Sequence, residues 1–74
     1  MDLRIGVTQS PRELILELAD DVDRDALKRE IDEALADDDR VLWLEDKKGR
    51  QIAVPVKKIA YVELGAPAAT RLGF

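Results

Sequence analysis

Two runs of carboxylates are the densest chemistry-bearing features of the chain. Asp20, Asp21, Asp23 and Asp25 fall within six residues, and Asp37, Asp38 and Asp39 are consecutive. Clustered oxygen ligands are what a hard divalent cation requires. A calcium loop of the EF-hand kind also needs a glycine at its sixth place and a bidentate glutamate at its twelfth, and both are missing. The first run therefore reads as the capped, solvated start of a helix. The second reads as a solvated loop. Nucleophilic chemistry has little to work with. The chain has zero Cys and zero His, which removes thiolates, Cys-based zinc sites and the usual general base. Its hydroxyls are Thr8, Ser10, Tyr61 and Thr70, three of them in turns or near the end of the sequence. No catalytic residue, metal or cofactor is expected.

The cations Lys47, Lys48, Arg50, Lys57 and Lys58 concentrate in the second half, together with Arg71. A nucleic-acid surface needs such charges on one face with aromatic rings between them. Lys47 and Lys48 fall in one turn and Lys57 and Lys58 in another, at opposite ends of a strand. At ~3.3 Å per residue that separates them by roughly 17–20 Å. Turn and edge lysines that keep a sheet soluble are the simpler reading. Lys48-Gly49-Arg50 lacks the spaced glycines and following helix of a phosphate loop.

The elements that position these groups follow from periodicity. Leu3, Ile5 and Val7 alternate with Asp2, Arg4 and Gly6, which predicts a half-buried strand over 2–7. Thr8 to Pro11 is a turn in which Ser10 bonds back to the backbone. Residues 12–18 alternate again and complete a hairpin. Asp23 is a fitting N-cap, and Leu27, Ile31, Ala34 and Leu35 form one apolar stripe of a helix ending near Ala36. Asp25–Arg29 and Arg29–Glu33 are spaced for ion pairs on its wet side. Val41 to Glu45 is a third strand and Arg50 to Val54 a fourth, joined by a turn in which Gly49 supplies positive φ. Pro55 ends the fourth strand or confines it to an edge. Ile59 to Leu64 is the fifth. The order is ββαβββ, and the short bend before the fifth strand suggests a three-strand meander over 41–64. The expected fold is α+β: a mostly antiparallel five-stranded sheet with one helix on one face. Ile5, Leu14, Leu16, Leu27, Ile31, Leu35 and Val54 are its expected buried core.

Strand parity then singles out a second face. If Leu42, Leu44, Val62 and Leu64 face the helix, Ile15, Val41, Trp43, Ile59 and Tyr61 face away from it. Five such side chains call for a cover: the tail, a second copy or a partner. The tail offers Arg71, Leu72 and Phe74, either folded back on that face or inserted into a partner.

With 74 residues there is room for one domain, expected over 1–65 with 66–74 as a C-terminal tail. Charge divides unevenly: residues 1–39 carry a net −8 and residues 40–74 a net +4, for a total of −4. Complementary halves suit contact with a partner, including a second copy. An acidic chain is a poor prospect as a general nucleic-acid binder. No apolar run approaches the ~20 residues of a membrane span. Met1-Asp2-Leu3-Arg4 leads directly into a strand pattern, so no secretory leader is expected.

The hairpin and helix of the first half resemble the opening of the ubiquitin-like β-grasp fold, although the second half fits it poorly. Arg71-Leu72 is not followed by Gly-Gly, so a covalent modifier is not expected. The alternation from Leu3 to Val7, Arg12-Glu13-Leu14, Gly49-Arg50-Gln51-Ile52-Ala53-Val54-Pro55, Lys58-Ile59-Ala60-Tyr61-Val62-Glu63-Leu64-Gly65 and Arg71-Leu72-Gly73-Phe74 resemble a small actinobacterial family of unknown function. That resemblance implies a cytoplasmic protein and transfers no activity or catalytic residue. The expectation is thus a cytoplasmic, non-catalytic interaction or regulatory module with an unknown protein partner, forming homodimers. The alternative is a nucleic-acid or nucleotide-binding module using Lys47, Lys48, Arg50, Lys57 and Lys58.

Overall fold

The computed structural model describes residues 1–65. Strand β1 (Asp2–Val7) pairs antiparallel with β2 (Glu13–Glu17). The turn between them places Gln9 at φ 61°, and the Ser10 hydroxyl accepts from the Arg12 N–H. Helix α1 (Arg24–Leu35) starts where the sequence places it, with the Asp23 carboxylate accepting the Ala26 N–H and Ala36 closing the last turn. Strands β3 (Val41–Glu45) and β4 (Gln51–Pro55) form the expected hairpin, with Gly49 at φ 85°. The 3₁₀ turn η1 (Val56–Lys58) leads into β5 (Ile59–Leu64).

The fold is α+β with five strands, but the strands form two antiparallel sheets rather than one. Their orders are β2-β1-β5 and β3-β4. The expected meander fails at η1. Val56 donates to the Arg40 carbonyl, which finishes the hairpin, and the tight 3₁₀ turn then redirects the chain. The Thr8 N–H donates to the Lys58 carbonyl and sets β5 against β1 instead of β4. The two sheets meet where the Lys47 N–H donates to the Glu17 carbonyl at 2.8 Å.

Leu3 and Ile5 of β1, Leu16 and Leu18 from the β2 side, Ile31 and Ala34 of α1, Leu42 and Leu44 of β3, and Val54 and Val56 form the core. Of the expected core, Ile5, Leu16, Ile31 and Val54 are buried, while Leu14 and Leu27 are only partly so. Leu35 is 38% exposed although its neighbour Ala34 is buried, because its side of α1 faces the open groove beside Val62 and Leu64. The expected pairs of Arg29 with Asp25 and Glu33 do not form. Among the described residues the ion pairs are Lys47–Glu17, Arg50–Asp46 and Lys57–Asp39.

Candidate interaction faces and the groove beside β5

The outer face of the three-stranded sheet is organised around Gly6. Gly6 stands opposite Glu13 of β2 on one side and Tyr61 of β5 on the other. The Tyr61 ring lies across Gly6, filling the space a Cβ would take, and its hydroxyl donates to the Glu13 carboxylate. The row Tyr61–Gly6–Glu13 therefore crosses all three strands. Donating to Glu13 raises the phenol pKa, and partial burial adds to the rise. Ile15 stands in the next row, opposite Arg4, and is 57% exposed. Tyr61 is 48% exposed.

The outer face of the β3-β4 hairpin is separate. Trp43 is 62% exposed and Val41 44% exposed. Their cross-strand partners are Ala53 and Pro55, both exposed and both small or donor-free. Trp43 thus has an apolar shelf beside it and no large neighbour across the strand pair. Leu42 and Leu44, on the other parity, are buried.

Sequence parity fails at Ile59. The register passes from Gly6 opposite Tyr61 to Val7 opposite Ile59, so Ala60 is an extra residue in β5. This bulge turns Ile59 over, and it packs partly buried against the core instead of joining Tyr61 outside. The open face expected from parity is therefore two faces, Ile15 and Tyr61 on one sheet and Val41 and Trp43 on the other. Arg71, Leu72 and Phe74 lie outside the described residues.

At the hairpin tip, Asp46 is only 5% exposed. Its carboxylate accepts from the backbone N–H groups of Lys48 and Arg50, each at 2.9 Å, and from Arg50 Nε at 2.6 Å. Burial pushes its pKa up, but these hydrogen bonds outweigh it and hold the carboxyl below its ordinary value. The Lys47 ammonium meets Glu17 at 3.0 Å, which lowers the Glu17 pKa and raises that of Lys47. Of Lys47, Lys48, Arg50, Lys57 and Lys58, the set a nucleic-acid surface would use, Lys47, Arg50 and Lys57 thus face a carboxylate.

Sequence reasoning missed Gly6 as the seat of a ring, Glu13 as its anchor and Asp46 as the organiser of a turn. An Asp three residues before a Gly is the local signal for the last. Nothing local signals the first two. Among the described residues, no group of three acids is placed to hold a metal ion.

A family model described as a protein of unknown function, DUF3107, matches residues 1–74. The chain belongs to the DUF3107 family. No curated protein matches it. No helix among the described residues is long and apolar enough to cross a membrane.

Proposed function

We propose that this DUF3107 chain is a non-catalytic protein-interaction module that self-associates through its outer faces. The observation that carries this reading is Trp43, 62% exposed on a hairpin whose other face is core. A Trp buries roughly 150–250 Å² when covered. At ~25 cal/mol per Å² a two-fold contact burying two copies gains several kcal/mol before the cost of association. Two-fold symmetry places the same patch on both sides, so one residue acts twice. Val41, Ala53 and Pro55 extend the patch without adding a charge, and charge depletion is typical of interface centres. Ile15 and Tyr61 offer a second contact on the other sheet.

A non-catalytic role is supported by the lack of a His or Cys to activate. A cytoplasmic location is proposed with it, as the family resemblance implies, and zero Cys is compatible with that location. Binding of nucleic acid has less support, since Lys47, Arg50 and Lys57, three of the five residues it would use, face carboxylates.

The substitution Trp43→Glu tests the reading. Expected is a folded monomer under conditions where the unmodified chain is a dimer, measured by light scattering with circular dichroism. A chain whose mass is the same before and after the change removes Trp43 from the interface.

A further inference from the structure

The outer face of the β3-β4 hairpin carries a pattern that selects how a second copy sits on it. Val41, Trp43 and Glu45 of β3 stand opposite Pro55, Ala53 and Gln51 of β4, and all of them are exposed. The Val56 N–H donates to the Arg40 carbonyl and the Asp46 N–H to the Arg50 carbonyl, so 40–56 and 46–50 are hydrogen-bonded pairs. Bonded and non-bonded pairs alternate in an antiparallel ladder, which makes 43–53 a non-bonded pair with its side chains close together. The largest side chain of the face therefore stands directly beside an alanine. The row at the hairpin tip is also unlike across the strands. The Glu45 carboxylate only accepts hydrogen bonds, whereas the Gln51 amide donates. Among the described residues, the ammonium of Lys48, in the turn at the same end, takes part in no ion pair.

Two identical sheet faces can be aligned about a two-fold axis in two ways. With the axis across the strands, tip lies over base. Trp43 then meets its own copy, Ala53 is left facing Ala53, and the Glu45 carboxylate lies over Val41 at the end where Asp39 lies. With the axis along the strands, tip lies over tip and β3 lies over β4 of the second copy. Packed sheets stand ~10 Å apart, a gap that an indole spans above an alanine and that two alanines leave empty. In this alignment Trp43 fills the space above Ala53, Val41 meets Pro55, and Glu45 meets the Gln51 amide with Lys48 beside it. Charge and shape both favour it. We infer that a second copy docks tip over tip, with Trp43 of each chain seated on Ala53 of the other and Glu45 on Gln51. This rests on the reading of Trp43 as the self-association contact and adds the seat and the orientation. A contact of this size lies at the low end of specific interfaces, so the dimer forms at high concentration.

Exchanging ring and seat tests it, with the dimer dissociation constant read by sedimentation. Trp43→Ala and Ala53→Trp should each raise that constant about tenfold or more, the first by removing the ring and the second by filling its seat. The double variant Trp43→Ala, Ala53→Trp moves the ring to β4 and the seat to β3, and should return to within about threefold of the unmodified chain. A dimer that tolerates Ala53→Trp, or a double variant no tighter than the single ones, overturns the docking and leaves Trp43 as a contact. A single-chain mass for the unmodified protein at every concentration overturns both. If a Trp variant does not fold by circular dichroism, the tip row decides. Gln51→Glu should weaken the dimer about threefold or more at low salt, and adding Glu45→Gln should restore it. A dimer unchanged by Gln51→Glu overturns the docking.

Discussion

Gly6 and Tyr61 show how one residue's role can depend on another 55 positions away. A glycine inside a strand ordinarily costs ~0.5–1 kcal/mol relative to Ala. Here a methyl group would overlap the Tyr61 ring and force it off Glu13. Gly6→Ala should therefore lower stability in the native chain, by about 1 kcal/mol, and raise it in a Tyr61→Ala background. Denaturant unfolding of the four proteins of that cycle measures the sign change; the same sign in both backgrounds contradicts the packing described. Asp46 gives a pH dependence. Its carboxyl is held below the ordinary value of 3.8 when folded. Its contribution is then fully present above that value and is lost as the pH falls through the lower, folded one. Thermal melting of the native chain and Asp46→Asn should differ at neutral pH and converge in acid well below pH 3.8. A difference that persists there assigns the effect to shape and not to charge. The roles of Asp23, Ser10 and Gly49 were legible in the sequence because each bonds or bends within four residues of itself. Those of Gly6 and Glu13 were not, because their partner arrives through pairing of distant strands.

The helix and the five strands were legible from their own periodicity, since amphipathic alternation is local. The choice of strand partners was not. It turns on three residues of 3₁₀ helix and on where the Lys58 carbonyl finds a donor. Parity counting likewise fails at a bulge, because one extra residue reverses every side chain before it. Ala60 does this to Ile59, and a pattern of single letters carries no mark of it. The core follows the local pattern more faithfully. Leu16 is buried between sheet and helix, so Leu16→Ala should cost ~2–5 kcal/mol by chemical denaturation. A domain this small has a total of about 5 kcal/mol, so the variant should be largely unfolded near physiological temperature. An unaltered unfolding curve would place Leu16 on the outer face.

For the whole molecule, the two apolar outer faces are what support the proposed association. Residues 1–39 carry a net −8 and residues 40–74 a net +4, and within one chain the two are already joined by the Lys47–Glu17 and Lys57–Asp39 pairs. In the proposed dimer Trp43 and its shelf would supply the buried area. Size distribution against concentration is the most direct measurement of this account. The unmodified chain is sedimented over concentrations on the order of 1 μM to 1 mM, a range that brackets contacts of modest area. A second series at ~50 mM salt contains a generic oligonucleotide, a condition that favours phosphate contacts. A rise from one to two chain masses as concentration increases, unaffected by the oligonucleotide, is the expected result. A single-chain mass at every concentration, or a complex that forms only with the oligonucleotide, would contradict it.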